Sequence, residues 1–293
     1  MYSQSKVPPY WPYELKDHST EIWGRGTVDA KACVAAQTVA VLDLLKSSSH
    51  KIKQGALALL FVVGEEVGGD GMRYFSAHKP TNYSAVIFGE PTEGKLASGH
   101  KGFLTFKLHV RGKAAHSGYP WLGVSANSVM VEALSKLLDL ENSLPSSEKL
   151  GPSTLNIGLI NGGVAANVVA EDAEARIAIR IAAGTPDDIK SMITDALAST
   201  RRKVEYKGGH LDIEFIGRAY GPIDIDADVK GFESITVNYG TDIPNLDGDH
   251  KRYLYGPGSI LVAHSDHEHL KVSELEQAVK DYQKLILAAL EPR

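Results

Sequence analysis

The sequence predicts an α/β fold, with a mainly parallel sheet flanked by helices and a smaller α+β domain inserted into it. Three observations support this prediction. Residues 56–63 form an unbroken apolar run between Gly55 and Gly64, which is typical of a parallel strand covered on both faces. From Thr105 a period-two alternation begins, which indicates a strand with one face in water. After about Gly221 the glycine-punctuated apolar pattern returns, so the first domain is predicted to be interrupted and then completed.

The interrupted domain is predicted to contain buried helices and strands. Residues 30–45 are rich in Ala, Val and Leu and are followed by a lysine and three serines, as expected for a buried helix and its end. The run at 56–63 is predicted as one buried strand, and a shorter apolar segment at 84–88 as a second. An amphipathic segment at 274–290 is predicted as the closing helix.

The inserted domain is predicted to combine an antiparallel sheet with two helices. Thr185 and Pro186 provide a cap and a first-turn proline for the second of these helices. The predicted elements are strands at 105–111, 154–160, 174–181 and 210–216, and helices at 125–140 and after Thr185. The expected boundaries are 101–216 for the inserted domain, and 1–100 with 217–293 for the interrupted one.

Composition and charge exclude several classes of function. The 293 residues are 43% hydrophobic and 23% charged, which is close to the average for soluble globular proteins. The net charge is −5 and Lys and Arg form no cluster, which argues against a nucleic-acid partner. No apolar run reaches the ~20 residues that span a bilayer, so no membrane partner is expected. The single cysteine, Cys33, excludes an intrachain disulfide and is predicted to be a buried core residue.

Acidic loops and one histidine loop mark a candidate site. Glu65, Glu66 and Glu90 directly follow predicted strands, where ligands bind in open α/β sheets, and Asp29 and His264 follow a glycine turn and an apolar segment. Carboxylates and imidazole together suit zinc, and adjacent glutamates suit one metal ligand beside one general base. Simpler interpretations remain open: Asp29 as a helix N-cap, Glu90 as a turn residue, and the glutamate pair as solvated surface charge.

Five motifs in order resemble those of a known family. They are Gly24-Arg-Gly-Thr-Val-Asp29-Ala-Lys31, Gly64-Glu-Glu-Val-Gly-Gly-Asp-Gly71, Gly89-Glu-Pro-Thr92, Ala115-His-Ser-Gly118, and Gly256-Pro-Gly-Ser-Ile260 with Ala263-His264. The sequence resembles the aminoacylase, acetylornithine deacetylase and carboxypeptidase G family of zinc metallopeptidases, especially its carboxypeptidase S-like and secreted fungal members. The resemblance covers nearly the whole chain. It implies a catalytic zinc-hydrolase domain with an inserted lid that commonly mediates dimerisation.

The resemblance also implies roles for the acidic and histidine residues. Asp29 would bridge two zinc ions. Glu66 and His264 would complete the protein ligands of the first ion, and Glu90 would bind the second. Glu65 would be the general base that takes a proton from the attacking water.

The resemblance further implies substrate contacts. In the lid, His116 would help to polarise the scissile carbonyl, in many relatives across the dimer, although alone it would be interpreted as a surface histidine. Asn167 and Arg180 would hold the substrate, and the guanidinium fork of Arg180 suits a carboxylate. A glycine loop would offer the backbone N–H groups of Gly256, Gly258 and Ser259. These groups would bind the substrate carboxylate or the oxyanion. His267 and His269 are predicted to be surface residues.

The sequence departs from the family pattern near its start. The family has a His-x-Asp motif just before the segment that matches Val7-Pro8-Pro9, and its histidine binds the second zinc. The matching stretch here is Ser3-Gln4-Ser5-Lys6, so we expect that ligand and the strands before it to be missing. The second ion would then keep only Asp29 and Glu90, with a large loss of affinity.

The leading functional hypothesis is metal-dependent hydrolysis of an amide or peptide bond next to a free carboxylate. The expected substrates are small peptides or N-acyl amino acids, and the expected assembly is a homodimer through the lid. The alternative is a truncated, catalytically impaired or silent homologue that folds and dimerises through the lid. The metal content would distinguish the two hypotheses. The compartment stays open, since the resembling proteins are secreted or vacuolar but no signal peptide is visible.

Overall fold

The structure is a computed structural model, which describes residues 14–16, 20–47 and 52–291. The chain forms two compact units. Unit 1 takes its described residues from Met1–Gly99, Asp224–Val237 and Thr241–Arg293, and unit 2 comprises His100–Ile223 and Asn238–Gly240. The inserted unit therefore extends beyond the boundary at 216 that the sequence suggested, because the last inserted strand continues to Tyr220.

Unit 1 is built from short strands and three longer helical segments. Its helices are α1 Lys31–Lys46, α2 Asp70–His78 and α5 Val272–Leu290. Its strands are β1 Glu14–Lys16, β2 Glu21–Trp23, β3 Ala85–Gly89, β4 Leu96–His100, β14 Ser234–Val237, β15 Lys251–Tyr255 and β16 His269–Lys271. Strands β3 and β15 pair in parallel, and β2 pairs antiparallel with β16.

The core of unit 1 joins α1 to α5. Alanines on one face of α1, including Ala36 and Ala40, allow α5 to pack closely, and Tyr282 and Leu285 of α5 are fully buried against them. Tyr282 also donates a hydrogen bond from its hydroxyl to the carbonyl of Tyr255 at 2.6 Å. The end of β15 is thereby tied to the core.

The apolar run at 56–63 differs from its prediction. Residues 57–63 form no strand, and Phe61 and Val63 are 57% and 78% exposed. A strand requires a neighbour for its backbone N–H and C=O groups, and no strand among the described residues pairs with this segment. The prediction of a buried strand covered on both faces is therefore wrong for the described structure, because apolar composition alone does not supply a partner.

Unit 2 is an antiparallel sheet with two helices. Its larger elements are β5 Gly102–Arg111, α3 Ala126–Glu141, β9 Thr154–Gly162, β11 Asp172–Ile181, α4 Pro186–Tyr206 and β12 His210–Tyr220. Its short strands are β6 Ala115–His116, β7 Ser146–Ser147, β8 Gly151–Pro152 and β10 Val168–Val169, and the strand β13 Ile223–Asp224 lies at the boundary between the two units along the chain. The main sheet has the order β12-β5-β11-β9.

The period-two pattern of β5 explains the core of unit 2. Phe106, Leu108 and Val110 are fully buried, whereas the residues between them are partly exposed. The Thr185 side chain caps α4 by accepting a hydrogen bond from the backbone N–H of Asp188. The mixed α/β class predicted from the sequence is thus present in the structure. None of the helices within the described ranges combines the length and apolar character needed to cross a bilayer.

Candidate metal centre

Asp29 lies in a tight glycine turn that leads into α1. Gly26 has φ +82, a backbone conformation that residues with a Cβ rarely adopt, so the turn favours glycine. The residue that caps α1 is Ala30, and within the described parts of the chain no side chain caps this helix. The interpretation of Asp29 as an ordinary helix N-cap is therefore wrong. Its side chain is instead 14% exposed and contacts His264.

Glu65 and Glu66 are presented by a short 3-10 turn. The turn spans Glu65–Val67 and is flanked by residues with positive φ, Gly64 at 79° and Gly69 at 71°. The N–H of Gly69 donates to the carbonyl of Gly64 at 2.8 Å and closes the turn. Because adjacent residues in such a turn point in different directions, the two carboxylates can serve different functions.

Three predicted ligands converge on one point. His264 Nε2 lies 3.0 Å from Asp29 Oδ2 and 2.9 Å from Glu66 Oε1. One ligand atom from each residue lies within 4.8 Å of the other two. Atoms that share a tetrahedral zinc ion lie about 3–4 Å apart, since zinc–ligand distances are about 2.0–2.2 Å. The donor chemistry and the convergence of the three side chains therefore fit a divalent metal ion.

The backbone at His264 has an unusual conformation. Its φ is +59°, a left-handed value that few residues other than glycine adopt. Such a conformation persists only where surrounding contacts hold it, and it is common at functional sites. Here it turns the imidazole towards Asp29 and Glu66.

Negative charge accumulates around this point. Burial, followed by the charge of Glu66, raises the pKa of Asp29. Burial, followed by the charges of Asp242 and Asp29, raises the pKa of Glu65 to about 7. Burial lowers the pKa of His264, but the hydrogen bond and charge of Glu66 outweigh it and raise the pKa overall. A divalent cation would offset the repulsion among these carboxylates.

Glu90 faces the same cluster without joining the three converging ligands. Burial is the largest cause of its strongly raised pKa, and the charges of Asp29, Glu65 and Glu66 follow. Within the described residues, Glu90 is not part of the group whose ligand atoms lie within 4.8 Å. The stretch that lacks the family's His-x-Asp motif lies outside the described residues. The role of Glu90 at a second ion stays a prediction.

The glycine loop after β15 differs in part from its expected role. The N–H of Gly256 donates to Thr92 Oγ1 at 3.0 Å, so it is not free to bind a substrate oxygen. In this conformation the loop uses that group to hold Thr92, and the substrate contact expected of Gly256 stays a prediction. Gly258 has φ +76, and Ser259 Oγ donates to Glu93 Oε1 at 3.3 Å. The substrate contacts of Gly258 and Ser259 stay predictions.

Unit 2 brings two of its predicted site residues together. His116 pairs with Val168, and the carbonyl of the adjacent Asn167 accepts a hydrogen bond from Ser117 N at 3.0 Å. The His116 and Asn167 side chains are both exposed, as the surface interpretation of His116 also requires. Arg180 lies on β11, with its guanidinium 4.4 Å from the Phe103 ring centroid. The substrate roles of His116, Asn167 and Arg180 stay predictions.

Sequence reasoning missed two buried acids. Asp242 is 5% exposed, and its Oδ1 accepts a hydrogen bond from Asn245 Nδ2 at 2.9 Å. Among the residues that the structure describes, its Oδ2 has no hydrogen-bond partner. Glu268 is 1% exposed and contacts the turn that carries Asp29. The position of Asp242 directly after Gly240 and Thr241 could have marked it in the sequence. Glu268 lies between His267 and His269, and nothing in that stretch of sequence distinguishes it. His269 stacks on Trp23 at 4.5 Å, while the His267 side chain is 59% exposed.

Comparison with known proteins supports a common origin with peptidases. Residues 98–205 match the peptidase dimerisation domain of the M20 family. A probable carboxypeptidase of Aspergillus niger is 51% identical over 303 residues, which cover 97% of this chain and 71% of the relative. A tripeptidase from Staphylococcus aureus superposes with a TM-score of 0.72 at 20% identity, over 99% of this chain and 83% of that one.

A second solved structure has the same fold. An M20 family metallo-carboxypeptidase from Sulfolobus solfataricus superposes with a TM-score of 0.65 at 14% identity, over 97% of this chain and 82% of that one. At such low identity the solved structures establish the fold alone, whereas the 51% identity to the fungal relative establishes kinship. The chain belongs to the M20 family of metallopeptidases, which are metal-dependent peptide hydrolases.

Proposed function

We propose that this chain is a zinc-dependent hydrolase that cleaves an amide or peptide bond next to a free carboxylate, as a carboxypeptidase or an N-acyl amino acid amidohydrolase. The observation that carries the proposal is the convergence of Asp29, Glu66 and His264, with ligand atoms within 4.8 Å of one another. The relative from Aspergillus niger is named a probable carboxypeptidase, which favours the first of these two activities.

Asp29, Glu66 and His264 would hold the catalytic ion. These three residues would give the ion the three protein ligands that are usual in a catalytic zinc site, in which the fourth position is open. Zinc supplies a Lewis acid there, which polarises a carbonyl and lowers the pKa of water to ~7. Asp29 is the candidate to be shared with a second ion, together with Glu90, whose pKa is raised by burial and by Asp29.

Glu65 is the proposed general base. A base works best when its pKa lies near the working pH, and burial with nearby charges raises the pKa of Glu65 to about 7. In the proposed reaction Glu65 accepts a proton from the attacking water as the new C–O bond forms. It then gives that proton to the amine nitrogen as the C–N bond breaks. Glu65 therefore ends the cycle in its starting protonation state.

A homodimer through unit 2 is the proposed assembly. The match of residues 98–205 to a peptidase dimerisation domain supports it. In this proposal His116 polarises the scissile carbonyl, while Asn167 and Arg180 bind the substrate. The guanidinium of Arg180 is half-buried, and a bidentate contact to a carboxylate would compensate for its lost hydration. Light scattering with size-exclusion chromatography measures the assembly, and a monomer at micromolar concentration would contradict it.

The activity is tested by metal content beside a substrate series. We expect zinc to be bound, and we expect dipeptides and N-acyl amino acids with a free carboxylate to be cleaved at least ~100-fold faster than their C-terminal amides. Glu65→Gln should abolish kcat but keep zinc binding, because Glu65 lies outside the three-ligand group. Glu276→Gln, at an exposed position on α5, is the matched control.

Two results would contradict the proposal. If Glu65→Gln retained a near-normal kcat, the assignment of the general base would be wrong. If no member of the series were hydrolysed, the alternative of an impaired or silent homologue would hold instead, and the absence of bound zinc would favour the silent form.

A further inference from the structure

We propose that Arg25 and Glu268 are positioning residues, which fix the spacing between the loop that carries Asp29 and the loop that carries His264. We call this pair the Arg25–Glu268 clamp. The inference rests on the proposed metal centre, because its function is to hold two of the metal ligands in register. Neither residue of the clamp is part of the three-ligand group.

Glu268 holds the Asp29 loop through three separate contacts. Its Oε1 accepts hydrogen bonds from the backbone N–H groups of Val28 at 3.0 Å and Asp29 at 3.3 Å. Its backbone carbonyl accepts a third from Gly24 N at 3.1 Å. The Glu268 side chain is 1% exposed, so water does not compete for these bonds. Both ends of the turn from Gly24 to Asp29 are therefore fixed to one residue.

Arg25 extends the same contacts to the His264 loop. Its Nη1 lies 3.0 Å from Glu268 Oε2, and its Nη2 donates to the carbonyl of Ser265 at 3.2 Å. Ser265 directly follows His264, whose left-handed backbone needs such support. One guanidinium therefore connects the residue that holds Asp29 to the residue next to His264.

The energetics explain why this pair would act together. A buried carboxylate is stable only if it is paired and its remaining lone pairs accept hydrogen bonds, and Glu268 meets both conditions. Removal of either charge leaves its partner unpaired and releases one of the two loops. Mutation of residues that hold metal ligands in place typically lowers metal affinity or activity by ~10–100-fold, because these residues set the orientation of the ligands.

The test measures zinc affinity of the full chain by competition with a chelator of known affinity. Glu268→Gln keeps an oxygen for Val28 and Asp29 but loses the ion pair, and Arg25→Gln loses the bond to Ser265. We expect each variant to raise the zinc Kd by ~10–100-fold. The double variant should raise it little further, because both changes break the same connection. Arg25→Lys, which keeps the charge but not the fork, should show a smaller loss.

Two controls separate positioning from general destabilisation. Glu233→Gln breaks an exposed ion pair with Lys95 in unit 1 (3.4 Å) and should leave the zinc Kd unchanged. Leu285→Ala opens a cavity in the core of unit 1 and should lower the melting temperature without changing the Kd of the folded protein.

The outcomes distinguish the clamp from the metal centre. Wild-type affinity in Glu268→Gln and Arg25→Gln would overturn the clamp while the metal centre stands. The clamp would also be overturned if Leu285→Ala, at equal loss of melting temperature, raised the Kd as much as the clamp variants do. A wild-type chain that binds no zinc would overturn both proposals.

Discussion

Replacing His264 by alanine should remove most of the stabilisation that the proposed zinc ion would give to unit 1. Its Nε2 lies 3.0 Å from Asp29 Oδ2 and 2.9 Å from Glu66 Oε1, and it is the only imidazole of the three-ligand group. The two carboxylates that remain repel each other, since the charge of Glu66 raises the pKa of Asp29. Loss of an outer partner already costs ~10–100-fold in affinity, so loss of this direct ligand should cost at least ~100-fold.

The size of the effect follows from binding to the folded state alone. Zinc at 100 times its Kd stabilises the folded chain by about 2.7 kcal/mol. A ~100-fold rise in Kd at the same zinc concentration leaves RT ln 2, or about 0.4 kcal/mol. For a domain of this size 1 kcal/mol corresponds to ~2–4 °C, so the zinc-induced rise in melting temperature should fall from ~5–11 °C to ~1 °C.

Thermal unfolding of metal-stripped protein, with and without zinc, measures this difference. His267→Ala is the matched control, because the His267 side chain is exposed and contacts its neighbour Asp266 at 3.1 Å, whereas its other hydrogen bonds use the backbone. It should keep the full zinc-induced rise. If His264→Ala also kept the full rise, zinc would not be bound by Asp29, Glu66 and His264, and the proposed centre would be refuted.

Two further predictions concern the metal-free chain and the Glu65 turn. The pKa of Glu65 rises from 4.5 to about 7 on folding, so its stabilising contribution is complete below pH 4.5 and is lost as the pH rises through 7. Urea unfolding with a chelator should show lower stability at pH 8 than at pH 5, and a flat profile would contradict this. Gly69→Ala places a Cβ against Asp242 and Asn245 at a φ of +71°, so it should lower the free energy of urea unfolding by about 2–4 kcal/mol. The matched control is Gly151→Ala, which has a similar φ but open space around it and should lower the same free energy by about 1–2 kcal/mol.

The sequence pointed to the loops that bring Asp29, Glu66 and His264 together because each loop has a recognisable local motif, while their binding of a metal stays a prediction. Asp29, Glu66 and His264 each stand in a short glycine-containing motif, and glycines with positive φ, such as Gly64 and Gly26, shape the turns that present them. Side-chain type and turn chemistry can both be recognised from neighbouring residues. The period-two pattern of β5 predicted its buried face for the same reason.

The remaining features could not be predicted because they depend on distant partners. The run at 56–63 has the composition of a buried strand, but strand formation also requires a neighbouring strand, which composition does not reveal. Glu268 accepts a hydrogen bond from Val28, 240 positions away in the sequence. Its role is therefore visible only in the folded chain, as is the use of the Gly256 N–H by Thr92.

The order of the ligands along the chain has a consequence for biosynthesis. Glu66 and His264 are 198 positions apart, and unit 2 is inserted between them. A ribosome that adds ~5–20 residues per second needs about 10–40 s to cover that interval. Helix α5, which packs on α1, emerges later still. A nascent chain therefore synthesises most of unit 2 before the proposed metal ligands are complete, so the proposed metal cannot be held by all three ligands until His264 has emerged.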